Sequence, residues 1–215
     1  LLRGGARKAR GGPLRRTGAR RTVASNLHEA PGAPGADATR RATGTGPQPA
    51  GAGGGEAKHV PGEVLLSVDG IVCSGGNTLN QQVIWKAHGI DAILRQAWDR
   101  GIVLGGASAG SLCWFEEGTT DSRPKELSKV ECLGFLKGSH SPHYDAEPGR
   151  RPLYQKTILA GTMKPGYACD NDAGIYFEDN TVKRVVSTRA GGKVYYVSVE
   201  GGKIVEKVME PEIIS

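Results

Sequence analysis

Aromatic side chains are absent from the first 57 of the chain's 215 residues; all twelve Phe, Trp and Tyr lie beyond them. The large apolar residues of that stretch are only Leu1, Leu2, Leu14, Val23 and Leu27, with no helical or strand period, while it holds 13 of the 33 glycines. So few core-forming groups cannot offset a chain entropy of about 1–2 kcal/mol per residue. Residues 1–57 are therefore expected to be a disordered Gly/Ala/Arg-rich segment, unable to supply buried strands. Cysteine is scarce as well. Cys73, Cys113, Cys132 and Cys169 are far apart, with no Cys-x-x-Cys pair among them. That spacing excludes a zinc ribbon and a dense disulfide framework, and favours reduced thiols in a reducing, cytoplasmic setting. No apolar run approaches the roughly 18 residues of a membrane-spanning helix.

The net charge of +6 suggests a nucleic-acid partner until it is divided along the chain. Residues 1–57 carry ten basic and three acidic side chains, or +7, which leaves −1 for residues 58–215. The basic character belongs to one end, so a globally basic nucleic-acid-binding domain is not expected. The Arg-rich start has the composition of an organellar import segment. It suits equally a basic tail or a stretch of GC-rich DNA translated out of frame.

From about Val60 the pattern changes. Residues 64–73 contain a short apolar run that ends at Ser74-Gly75-Gly76-Asn77, predicting a buried strand and a glycine loop. Asn77 or Thr78 can cap a following helix, along which Val83, Ile84, Ala87, Ile90, Ile93 or Leu94, Ala97 and Trp98 recur at three- and four-residue steps until Gly101. Ile102-Val103-Leu104 then predicts a parallel strand. Further on, Cys132–Leu136 and Gly174–Phe177 read as strands. Residues 182–187, 194–199 and 204–209 read as a β-meander, with Glu200-Gly201-Gly202-Lys203 as one hairpin turn.

Gly106-Ala107-Ser108-Ala109-Gly110 joins the predicted parallel strand to an apolar helical stretch, Leu112 to Phe115. Gly-x-Ser-x-Gly in a strand–turn–helix setting is the pattern of a nucleophile elbow. Small neighbours permit the strained turn, and the Ala109 amide and the helix start can stabilise an oxyanion. Serine needs a base. His28 and His59 lie in or beside the segment without a core, and His88 belongs to the amphipathic helix. His140 and His143 remain, in a loop where bases commonly sit, and their spacing does not choose between them.

Gly75-Gly76-Asn77-Thr78, the Ser108 elbow, Cys113-Trp114-Phe115-Glu116, Thr119-Thr120-Asp121-Ser122 and Gly138 to Asp145 occur in this order. Together, over about residues 65–208, they resemble the peptidase E (aspartyl dipeptidase) family of serine peptidases. The resemblance implies an α/β fold like that of class I glutamine amidotransferases, a doubly wound, mostly parallel sheet with flanking helices. It implies Ser108 as nucleophile, His143 as general base, and Gly76 and Ala109 as oxyanion donors. Asp121 is the implied triad acid, with Glu116, Glu117 and Asp145 as competitors. The implied substrates are short peptides with an N-terminal aspartate, for whose carboxylate Arg150 and Arg151 are candidate cations. A small peptide is thus the expected partner, with a homodimer admissible and neither membrane nor nucleic acid involved. No metal or organic cofactor is called for. The N-terminal βα units such a fold requires are expected to be missing, which would impair activity. The alternative is a non-catalytic, peptidase-like binding module.

Overall fold

The structure is a computed structural model that describes residues 22–25 and 61–214. It is an α/β arrangement of two six-stranded sheets. The first follows the order β12 (Glu212–Ile213), β9 (Thr181–Ser187), β8 (Ala173–Glu178), β1 (Thr22–Ser25), β3 (Val103–Gly106), β2 (Gly70–Cys73). The second runs β11 (Lys203–Met209), β10 (Val194–Glu200), β7 (Gly166–Cys169), β6 (Leu136–Ser141), β4 (Phe115–Thr120), β5 (Ser128–Glu131). Both sheets are mixed, which corrects the expected mostly parallel sheet. In each, a parallel block (β1, β3 and β2; β4, β6 and β7) is extended by antiparallel hairpin strands.

β1 overturns part of the expectation for residues 1–57. Thr22–Ser25 pairs in parallel with β3 and antiparallel with β8, occupying an interior position of the first sheet. Four residues are too short for a composition argument to register. Paired on both edges, β1 is held by ladder hydrogen bonds from two neighbours. The remainder of the segment expected to be disordered lies outside the described residues.

Other departures have local causes. The run from residue 64 is not one strand. Pro61–Leu65 forms a short helix, α1, and pairing begins only at Gly70. The single helix expected to Gly101 is two, α2 (Thr78–Ala87) and α3 (Ile90–Asp99), divided at Gly89, whose φ of +68° no α-helix continues. Asn77 caps α2 as anticipated, its side chain accepting the Asn80 N–H at 2.9 Å. The stretch after Ser108 is helical for only four residues, α4 (Ala109–Leu112), and Phe115 already opens β4. The expected meander is two hairpins in different sheets, β8–β9 and β10–β11. Gly201 and Gly202, at φ +56° and +75°, turn the second hairpin as its sequence predicted.

Between the elements, Trp98 and Trp114 each pack in a tilted arrangement against Phe135 at ring separations of 5.8 Å, and Leu94, Leu104, Phe115 and Phe177 complete the main core. A second cluster, with Tyr144, Tyr154, Ile158 and Val197, lies under α5 (Arg150–Leu159). All four cysteines carry free thiols; Cys73, Cys113 and Cys169 are buried and Cys132 half-buried. Among the described residues no helix is long and apolar enough to cross a membrane.

Candidate active site

Three parallel strands deliver the site from their carboxyl ends, the edge where α/β sheets bind ligands. β3 leads into Ser108, β6 into His143 and β7 into Asn171. Ser108 sits at φ +55°, ψ −121°, a region that non-glycine residues rarely enter and that costs about 1–3 kcal/mol. The flanking glycines make this turn sterically feasible. A Cβ on Gly106 would fall 2.3 Å from the Gly110 carbonyl oxygen, and one on Gly110 would fall 2.1 Å from that of Cys73. The elbow is thus pressed against the end of β2.

His143 is a second non-glycine residue at positive φ, +56°. Its Nε2 lies 2.8 Å from Ser108 Oγ and its Nδ1 2.7 Å from Asn171 Oδ1. An amide oxygen only accepts, so Nδ1 carries the proton and Nε2 presents its lone pair to the Ser108 hydroxyl. That is the tautomer a general base requires.

His140 has a different place. It is fully buried, stacked on Phe115 at 4.8 Å, with Nδ1 donating to the Tyr167 carbonyl at 3.1 Å and Nε2 3.1 Å from Ser111 Oγ. Burial pushes its imidazole down from 6.5 to about 3, so the ring stays neutral.

The position on His143 Nδ1 belongs to Asn171, and none of the anticipated acids occupies it. Asp121 is largely exposed and faces Arg150, 3.7 Å away. Glu116 accepts the Gly138 N–H at 2.7 Å and pairs with Lys164 and Lys137; these contacts, the Gly138 hydrogen bond foremost, lower its carboxyl below the usual range. Glu117 is buried, pairs with Lys129 and accepts the Lys164 N–H at 2.6 Å. Asp145 accepts the Asn171 N–H at 2.8 Å and pairs with Arg189 at 2.6 Å. Asn171 is an amide where the resemblance implies an acid. The signal that could have found it is the polar triplet Asp170-Asn171-Asp172 directly after a strand of the parallel block.

The candidate oxyanion donors flank the serine. Ala109 opens α4, where the first N–H groups of a helix have no intrahelical partner. Gly76 follows Gly75, whose Cβ position lies 3.2 Å from Ser108 Cβ, so the glycine loop passes directly beside the nucleophile. Ser122 and Thr120 brace this loop: Ser122 Oγ accepts the Thr78 N–H at 2.8 Å, and Asn77 Nδ2 donates to the Ser122 carbonyl at 3.2 Å.

Arg150 and Arg151 are engaged within the protein. Arg150 is 2% exposed, donating to the Thr119 carbonyl at 2.6 Å and to Glu147 at 2.7 Å. Arg151 pairs with Glu206 and lies over the rings of Tyr144 and Tyr195. Both therefore hold α5 to its surroundings.

Residues 57–185 match the model of peptidase family S51. The chain belongs to this family, that of peptidase E. Among S51 relatives it is 45% identical over 142 residues to the protein named Uncharacterized peptidase YgaJ of Bacillus subtilis (strain 168). The alignment takes in 66% of this chain and 61% of that protein, so the chain spans less than two thirds of its relative's length. In structure the S51 chain is similar to a peptidase from an acI-B1 Actinobacterium, with a TM-score of 0.50, 16% identity, and coverage of 70% of this chain and 60% of that one. A proposed peptidase E protein from Listeria monocytogenes EGD-e aligns at a TM-score of 0.46 and 20% identity over 59% of this chain and 63% of that one.

Proposed function

We propose that the chain is a serine-type peptidase of the S51 family, acting on short peptides by acyl transfer through Ser108, His143 and Asn171. One observation carries this reading: Ser108 Oγ, at a strained elbow, faces the lone-pair nitrogen of a histidine whose other nitrogen is held by an amide oxygen. His143 Nε2 takes the Ser108 proton as Oγ attacks the peptide carbonyl. The N–H groups of Gly76 and Ala109 receive the oxyanion. His143 then returns the proton to the leaving amine, and water, deprotonated in turn by His143, releases the acid and restores Ser108. Asn171 holds the imidazole in the productive tautomer throughout.

The substrate class is dipeptides with an N-terminal aspartate. This part rests on family resemblance alone, since Arg150 and Arg151 are committed to protein partners. Hydrolysis of Asp-Leu, measured against Ala-Leu and Asn-Leu, tests it; equal rates on all three would remove the aspartate preference. Ser108→Ala is expected to lower kcat/KM on the best substrate by at least about 10³-fold with the fold intact.

A non-catalytic, peptidase-like module is the second reading. Favouring it is β2, the outermost strand of the first sheet among the described residues, whose Val72 is 83% exposed. A folded sample whose Ser108 resists fluorophosphonate labelling would establish that reading instead.

A further inference from the structure

Asn171 is gripped at both of its backbone polar groups. Its N–H donates to Asp145 Oδ1 at 2.8 Å, and its carbonyl accepts from Arg189 Nη2 at 3.2 Å. The same Nη2 donates to Asp145 Oδ2 at 2.6 Å, closing a ring of three residues, and Arg189 Nε lies 3.5 Å from Asp172 Oδ2. Asp145 stands two residues after His143. The ring therefore ties the loop that carries the base to the loop that carries its orienting amide.

The chemistry of the amide explains why such a clamp matters here. A carboxylate offers two equivalent oxygens to an imidazole N–H and tolerates rotation. An asparagine offers one. Rotated, it presents its NH₂ group, which demands a lone pair on Nδ1 and moves the imidazole proton to Nε2, leaving no base for Ser108. A neutral amide–imidazole hydrogen bond also lacks the strength of a charge-assisted one, so its distance and line of approach have to be fixed by the backbone that carries it. The neighbouring carboxylate is otherwise occupied: Asp170 accepts the Lys193 N–H at 3.0 Å.

We propose that Asp145 and Arg189 are the positioning residues of this site, acting through the Asn171 backbone to hold its amide within reach of His143 Nδ1. They touch neither substrate nor reacting atoms. The proposal rests on the reading of Ser108, His143 and Asn171 as the catalytic group. Asp145→Ala is expected to slow fluorophosphonate labelling of Ser108, and to lower kcat, by about 10- to 100-fold, with KM within about threefold of the parent. Asp145→Asn, which keeps an oxygen for the Asn171 N–H, is expected to recover most of that loss. Independently of activity, the hydrogen-bonded His143 Nδ1–H is expected to give a downfield proton resonance in ¹⁵N-histidine-labelled protein. It should persist in Asp145→Asn and vanish in Asp145→Ala.

An unchanged labelling rate and an unchanged resonance in Asp145→Ala would overturn the proposal while leaving the peptidase reading in place. A parent protein that is not labelled, yet shows the Asp145-dependent resonance, would overturn the peptidase reading and support the clamp. Equal losses in Asp145→Ala and Asp145→Asn, tracking the folded fraction, would reduce the ring to a structural contact and overturn it. Should Asp145→Ala not fold, Arg189→Gln decides by the same readouts.

Discussion

Single atoms decide the chemistry of the elbow. A methyl group on Gly110 would sit 2.1 Å from the Cys73 carbonyl oxygen and 2.7 Å from that of Ser74, both backbone atoms that cannot rotate away. Gly110→Ala is therefore expected to destabilise the fold by about 3 kcal/mol or more, read as a lowered urea midpoint. Asn171 is the residue whose amide oxygen faces His143 Nδ1. Asn171→Ala should lower kcat by about 10²–10³-fold with little change in KM, because the imidazole loses the acceptor that sets its tautomer. Asn171→Asp should stay within about tenfold of the parent, since a carboxylate accepts the same proton and offsets the imidazolium. Steady-state kinetics of the two variants on one dipeptide would separate orientation from charge. Ser108 was legible in the sequence because its flanking small residues and its strand–turn–helix setting are local. Asn171 was not, since its partner lies 28 positions away and a polar triplet after a strand serves a turn as readily as a site.

At the scale of elements, breaks in regular structure do the positioning. Gly89 divides α2 from α3 at φ +68°, and a side chain added there would meet nothing within 4 Å. The cost of replacing it is thus conformational alone. Gly89→Val should lose about 1–2 kcal/mol and Gly89→Asn less, because asparagine tolerates the left-handed region. Paired denaturant titrations check the order. The periodicity of residues 83–98 is helical, but a hydrophobic stripe passes through a two-residue break without changing register enough to show it. The mixed character of the sheets was hidden for a related reason. A hairpin is local, whereas which sheet its strands extend depends on partners far along the chain; β9 and β10 are consecutive yet lie in different sheets.

Across the whole molecule, the site joins the two sheets, with Ser108 carried by one and His143 and Asn171 by the other. Beneath it lies His140, buried and neutral, its Nε2 on Ser111, whose hydroxyl also reaches the Ser108 carbonyl at 2.9 Å. Desolvation holds this imidazole at about 3, while in the unfolded chain it titrates near 6.5. The unfolded state thus binds the extra proton between these values. The stability contributed by neutral His140 is complete above about pH 6.5 and is lost as pH falls toward 3. His140→Gln should flatten the decline of the urea midpoint between pH 7 and pH 4, and an unchanged slope would show that other groups govern the acid response.

Local chemistry by itself determined the glycine loop at Gly75-Gly76, the elbow around Ser108, the capped start of α2 and the Gly201-Gly202 hairpin. Each follows from sterics and hydrogen bonding within a few residues. Tertiary structure alone decided the rest. It selected Asn171 over four acids, gave Arg150 and Arg151 to the packing of α5, and placed Thr22–Ser25 between β3 and β8. The physical reason is common to all three. A hydrogen-bond partner or a ladder neighbour is assigned by proximity in space, and proximity between distant segments exists only after the core has closed.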